Sequence, residues 1–197
     1  MKIIGITGGV GAGKSQILSY LKLRYSAFIL QTDQVAHQVK EPGETAYDSL
    51  VRLLGVNVLN EKGEIDREKM ATMIFLDHNL LCKVNQIIHP AVKDMVIEAI
   101  KVEKLKGCKL FIIEAALLIE DHYENIVDEM WYVYTSAEIR KTRLVTSRHY
   151  PLEKIEAIES KQLSEEDFRR HCSFVIDNNG TIEETYAQID KKMEEFQ

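Results

Sequence analysis

The stretch Gly8-Gly9-Val10-Gly11-Ala12-Gly13-Lys14-Ser15 decides the fold. It fits the pattern G-x-x-x-x-G-K-[ST], a phosphate-binding loop. Such a loop curls its backbone around a phosphate chain. Glycine reaches the necessary angles at little steric cost and lets N–H groups approach the oxygens closely. Gly11, Ala12, Gly13, Lys14, Ser15 and the following Gln16 are the expected nucleotide contacts. Lys14 brings a compact positive charge for the β- and γ-phosphates, and Ser15 a hydroxyl for Mg²⁺. On the N-terminal side, Lys2-Ile3-Ile4-Gly5-Ile6 reads as a short buried strand. Behind the loop, Ile17, Leu18 and Leu21 recur at helical spacing, so a helix starts near Lys14. Its N-terminus then faces the phosphates.

The 197 residues suit one compact domain with insertions. No apolar run approaches the roughly 20 residues of a membrane span. The chain opens directly into a strand and a nucleotide loop, which argues against a signal peptide. Cys82, Cys108 and Cys172 are far apart and odd in number, so neither a zinc site nor a disulfide framework is expected. A reducing, cytoplasmic setting fits. The net charge of −6 argues against a general nucleic-acid binder. A triphosphate still needs local positive charge, which directs attention to clusters of Lys and Arg.

A second strand, Ala27-Phe28-Ile29-Leu30, ends in Gln31-Thr32-Asp33. An acid at the C-terminal end of such a strand faces the ligand crevice. Asp33 also suits the N-cap of a helix carrying Val35, Ala36 and Val39, and both readings stand. Tyr47, Leu50, Val51 and Leu54 mark an amphipathic helix. Asp66 is the expected cap of the next, with Met70, Ile74 and Phe75 buried. A helical stretch from Leu80 to Ile88 is expected to end at His89-Pro90, where proline opens a new helix. About sixty helical residues exceed what a plain crossover needs, so they read as an inserted subdomain.

Lys109-Leu110-Phe111-Ile112-Ile113-Glu114 is a strong strand. Its terminal acid reads equally as a Mg²⁺-directed group and as a solvated strand end. Met130-Trp131-Tyr132-Val133-Tyr134 and Phe174-Val175-Ile176 complete five strands. Between them lies the basic run Arg140, Lys141, Arg143, Arg148 and His149. It reads either as a solvated helix face or as a lid whose arginines close over a triphosphate. Ser164 caps one lid helix, and Thr181 with Glu184 forms a capping box for the last helix. The fold class is α/β: a mostly parallel five-stranded sheet of the P-loop type, flanked by helices. The core covers residues 1–35, 107–136 and 172–197, the insertion about 36–106 and the lid about 137–171.

Over nearly its whole length the chain resembles the dephospho-coenzyme A kinase family. The resemblance rests on Gly5 through Ser15, Asp33 with Pro42-Gly43, and Gly63-Glu64-Ile65-Asp66-Arg67. It continues in Ile87-Ile88-His89-Pro90, Leu117-Leu118 with Glu120, Arg143, Arg148, Gln162 and Val175-Ile176-Asp177-Asn178-Asn179-Gly180. The family usually has Asp where this chain has Gln31, Pro at Ala116, Asp at His149 and Ala-Asp at Cys172-Ser173. The resemblance implies transfer of the γ-phosphoryl of ATP, with Mg²⁺, to the ribose 3′-hydroxyl of dephospho-coenzyme A. It implies a small-molecule substrate and no nucleic-acid or membrane partner. Asp33 is the implied base, with Lys14 and Arg148 as further catalytic residues. Arg143 and Asn179 fall on the nucleotide side, Thr7 and His89 with Asp33 on the acceptor side. The loop alone also fits a nucleoside or nucleotide kinase of the same build. A nucleotide switch acting through partners fits less well, because no Asn-Lys-x-Asp run follows a late strand.

Overall fold

The computed structural model describes residues 1–196. In chain order, β1 (Lys2–Thr7) leads through the glycine loop to α1 (Lys14–Tyr25) and β2 (Phe28–Gln31). Four helices follow: α2 (Thr32–Gln38), α3 (Tyr47–Leu54), α4 (Arg67–Leu76) and α5 (His78–Leu105). Then come β3 (Leu110–Glu114), β4 (Glu129–Tyr134) and three helices, α6 (Ala137–Arg148), α7 (Leu152–Glu159) and α8 (Glu165–His171). β5 (Phe174–Asp177) and α9 (Ile182–Glu194) close the described chain. By contacts it divides into two compact units, Met1–Ile29 with the chain from Gly107 onward, and Leu30–Lys106.

The first unit is built on the sheet, whose strand order is β2-β3-β1-β4-β5. β1 runs parallel to β3 on one side and to β4 on the other, and β4 runs parallel to β5. β3 is buried at every position, as expected of a strand covered on both faces. From β1 the chain first builds one side of the sheet and then crosses to the other. The C-terminal end of β1 is therefore the switch point, where open α/β sheets bind ligands, and the glycine loop starts there. Ile4, Ile6, Ile17, Leu21, Trp131, Val133, Ile176 and Ile189 are fully buried in one cluster. Each such side chain contributes about 1.5–3 kcal/mol relative to exposure. α9 begins with the expected capping box between Thr181 and Glu184.

The second unit is helical. α2, α3 and α4 all pack on α5. Asp66 caps α4 as expected, accepting from the backbone N–H groups of Glu68 and Lys69. Phe75, expected inside, is 90% exposed, and Met70 carries the packing of that helix. The expected break at Pro90 is also absent. α5 runs through it as a single helix of 28 residues. Proline there removes the bond to the Gln86 carbonyl, a cost of about 3 kcal/mol. Val84, Val92 and Val96 are buried on both sides of it, so packing against the other helices offsets the lost bond. No helix among the described residues is long and apolar enough to cross a membrane.

Candidate active site

The loop after β1 is shaped around the Ala12 carbonyl. That oxygen accepts from Asn178 Nδ2 at 2.7 Å and from Thr135 Oγ1 at 3.0 Å. Arg143 Nη1 stands 3.5 Å away, while its Nη2 donates to the Asn178 carbonyl at 3.0 Å. Asn178 is itself buried and accepts from Thr185 Oγ1 at 2.9 Å. The ends of β4 and β5, together with α6 and α9, thus hold one backbone oxygen. Gly13 has φ of 90°, and a Cβ there would collide with Asn178 Nδ2. The glycine is required twice, by its angle and by its neighbour. No side chain caps the start of α1. The amides of Gly11 and Gly13 donate to no acceptor among the described residues. Unpaired amides at a helix N-terminus make an anion site.

Lys14 Nζ donates to the Gly8 carbonyl at 2.7 Å and lies 3.7 Å from Glu114 Oε1. Glu114 is only 9% exposed, so the solvated strand-end reading of this acid does not hold. Ser15 and Gln16 are exposed in the first turn of α1. Thr7 is fully buried, and its Oγ1 has no partner among the described residues.

The basic run divides. Arg143 joins the Asn178 network. Arg140, a less prominent member of the run, lies against the loop: a Cβ on Gly9 would collide with its Nη1. Its Nη2 is 3.0 Å from Glu159 Oε1, an ion-pair distance. The alignment falls short of a hydrogen bond, leaving Arg140 Nε and Glu159 Oε1 without hydrogen-bond partners. Gln162 Oε1 accepts from Val10 N–H at 3.3 Å. Arg148 is exposed in the last turn of α6, and no hydrogen bond or ion pair ties it to the loop. His149 takes a left-handed conformation as the C-cap of that helix. Asn179 uses its side chain on Asp177 and on the Ser136 amide, while its neighbour Asn178 reaches the loop. Neither Thr135 nor Asn178 is marked by the sequence as a loop contact, although Asn178 lies in the stretch Val175 to Gly180.

In the helical unit, Asp33 is exposed in the first turn of α2. The N-cap is Gln31, and no side-chain bond caps the helix, so Asp33 is not the cap. The backbone turns helical at Thr32, one residue before the acid can serve that role. His89 lies part-buried near the middle of α5.

The profile of the dephospho-CoA kinase family matches residues 2–184. A dephospho-CoA kinase from Aquifex aeolicus is 35% identical over 196 residues, covering 100% of this chain and 98% of the relative. The crystal structure of a Thermus thermophilus protein, 26% identical, superposes with a TM-score of 0.80, covering 100% of this chain and 98% of that one. A dephospho-CoA kinase from Campylobacter jejuni, 19% identical, shares the fold with a TM-score of 0.74 and the same coverage. With its glycine loop, its switch-point placement and a match along almost its full length, the chain belongs to the dephospho-CoA kinase family.

Proposed function

We infer that the protein transfers the γ-phosphoryl group of ATP to the ribose 3′-hydroxyl of dephospho-coenzyme A. The products are coenzyme A and ADP, and the step is the last in making that cofactor. The observation that carries this reading is the loop fastened at Ala12, in a chain matching the family over residues 2–184. In the reaction the bond from the γ-phosphorus to the β–γ bridging oxygen breaks. A bond to the acceptor oxygen forms. Asp33 takes the hydroxyl proton, and ADP leaves with the bridging oxygen.

The loop amides and Lys14 hold the triphosphate, so its charge meets fixed donors rather than reorganising water. Glu114, 3.7 Å from the Lys14 amine, helps to align it. Arg140 and Arg143 meet negative charge from the lid side, and Arg148 joins them only where the lid moves. Positioning and electrostatics are the main contributions in phosphoryl transfer. No cluster of three or more His, Cys, Asp or Glu able to hold a metal occurs among the described residues. Exposed Ser15 and buried Glu114 fit an ion held mainly by phosphate oxygens, as Mg²⁺ usually is. Held beside Ser15, Mg²⁺ would neutralise part of the charge on the triphosphate.

The helical unit supplies the acceptor side, with Asp33 and His89, and α6 to α8 form the lid. Thr7, buried below the loop with a free hydroxyl oxygen, is the link from β1 to the reacting groups. Three free cysteines suit a reducing, ATP-rich compartment, the cytoplasm.

A coupled ADP-release assay across an acceptor panel tests the reading. Release is expected with dephospho-coenzyme A and not with adenosine, nucleoside monophosphates or no acceptor. Equal release with a nucleoside monophosphate would replace it with a nucleotide kinase.

A further inference from the structure

Two cations stand against adjacent glycines at the start of the loop: Lys14 Nζ at the Gly8 carbonyl and Arg140 Nη1 at Gly9. Each has a carboxylate behind it. Glu114 Oε1 lies 3.7 Å from Lys14 Nζ, and Glu159 Oε1 lies 3.0 Å from Arg140 Nη2. Both acids are largely withdrawn from solvent, with side chains 12% and 27% exposed. Arg143 is fastened differently, by the neutral carbonyls of Ala12 and Asn178. Arg140 leaves the first turn of α6, where its own carbonyl and the Leu144 side chain close on Gly11. Its side chain then reaches Gly9, where the lack of a Cβ makes room for Nη1. Glu159 is the last residue of α7, and Gln162, three residues on, accepts from the Val10 amide at 3.3 Å. The end of α7 therefore meets the loop twice, once through Arg140 and once directly.

Cations at neighbouring residues repel, and the loop itself carries no acid to offset that. An unrestrained arginine would swing into water, where its long side chain also regains rotamer freedom. A carboxylate behind the guanidinium opposes both tendencies. The manner of pairing is informative. A two-bond fork would satisfy one edge of the guanidinium and tie it up. Here a nitrogen comes to ion-pair distance, but the alignment falls short of a hydrogen bond. Arg140 Nε keeps no partner among the described residues. A pair that served only to join α6 to α7 would gain from the full fork and from distance from the loop, and this one has neither. The carboxylate restrains Arg140 without consuming its donors. That is the condition for electrostatic preorganisation: the charge is in place, with donors open, before the phosphoryl group moves.

We propose that Glu159 is a positioning residue of the reaction: it holds Arg140 against Gly9, so that the guanidinium meets the γ-phosphoryl group during transfer. The proposal rests on the chain being an ATP-dependent phosphotransferase, and it adds a residue that lies outside every motif carrying that reading. It also claims more than charge balance. Glu159 acts only through Arg140. Without Arg140 its carboxylate has no cation to hold and is merely one more negative charge near a polyanion.

A double-mutant cycle on the full chain tests this, with Glu159→Gln, Arg140→Gln and the two together. Steady-state kinetics with ATP and dephospho-coenzyme A are measured well below the melting temperature of each variant. Glu159→Gln keeps the shape and removes the charge. It should lower kcat about tenfold, a usual coupling for residues in contact, with KM for ATP within about threefold of the parent. Glu159→Asp keeps the charge and should hold kcat within about threefold. In the Arg140→Gln background, Glu159→Gln should change kcat by less than about twofold. A merely structural pair would lower the melting temperature and leave kcat unchanged, which would overturn the proposal. An equal kcat loss in both backgrounds would overturn it as well, because Glu159 would then act by another route. So would a rise in KM for ATP at unchanged kcat, the mark of a contact made equally before and during transfer. A parent that phosphorylates a nucleoside monophosphate in place of dephospho-coenzyme A overturns the acceptor reading alone, and the cycle run with that acceptor decides the role of Glu159. A parent that transfers phosphoryl to no acceptor overturns both.

Discussion

Ala12 and Lys40 stand at two differently built places. The Ala12 carbonyl is gripped by side chains from residues 135, 143 and 178, across more than a hundred positions of sequence. Lys40 and Arg67 are 27 positions apart and line one cavity, with no carboxylate ion-paired to either among the described residues. At the first, the Ala12 carbonyl and its donors satisfy one another and set the loop before any phosphate arrives. The second keeps like charges together around an open space. One expectation follows for each. Damage to the loop should cost both folding and turnover, whereas damage at the cavity should leave folding alone.

The largest effect is expected at Lys14, which belongs to the loop but not to its scaffold. Lys14→Ala should lower kcat by roughly 10³, because a phosphate charge left unmatched in a water-poor site costs several kcal/mol. Melting should barely change, since Ala12 keeps its partners. A variant turning over within about threefold of the parent, well under 1 kcal/mol, would remove Lys14 from the chemistry.

Asp33→Asn comes next. Asp33 makes no capping bond, so the change removes a carboxylate and nothing that holds α2 together beyond a weak helix-dipole term. kcat should fall by at least about 10², the lower range for a positioned base, with ATP affinity and melting temperature preserved. Normal turnover would rule out Asp33 as the base.

The third prediction is about stability. Asn178→Ala removes the 2.7 Å bond to Ala12 and the 2.9 Å bond from Thr185 Oγ1, while the Thr185 hydroxyl keeps the Thr181 carbonyl and Ala12 keeps Thr135. Each lost bond costs about 0.5–1.5 kcal/mol. The melting temperature should drop by several degrees, and ATP affinity should fall with it, since Gly13 then loses the neighbour that shapes its turn. Lys40→Met, by contrast, should melt at or slightly above the parent temperature. Equal destabilisation of the two variants would erase the contrast between the sites.

The two sites also differed in how far sequence could reach them. The strand, loop and first helix were legible because their signals are local: glycines at fixed offsets, an apolar run before them and helical periodicity after. The five strands were legible for the same reason. What failed was decided at a distance. Pro90 is locally a helix boundary, yet packing of Val84, Val92 and Val96 carries α5 through it. Phe75 fits a buried stripe by spacing, but the unit offers nothing to cover it. Among the arginines, spacing could not show which turn of α6 lies on the loop. Arg140 and Arg143 share the face that buries Leu144 against Gly11, and Arg148 lies one turn further on. The cation cavity was invisible because Lys40 and Arg67 are brought together only by the fold.

The smallest predicted effect tests the cavity through its histidine. In the folded protein, burial and the charges of Lys40 and Arg67 hold the His37 imidazole below its usual range, and Asp33 only partly opposes them. The unfolded chain has no such neighbours, so its histidine titrates at the ordinary value of about 6.5. Between the folded value and the ordinary one, the unfolded state binds more protons. Stability must then rise with pH through that window and fall on acidification. It is complete above the ordinary histidine value, declines as pH drops toward the folded one, and changes no further below it on this account. His37→Gln removes the group. Melting curves from mildly alkaline to mildly acidic pH should therefore show the parent losing slightly more stability than the variant. Because His37 is exposed, solvent screens its neighbours and the difference should be smaller than any effect above. A parent and variant with the same pH slope would mean that Lys40 and Arg67 do not act on His37. The contrast with the self-satisfied loop would then rest on Lys40 and Arg67 alone.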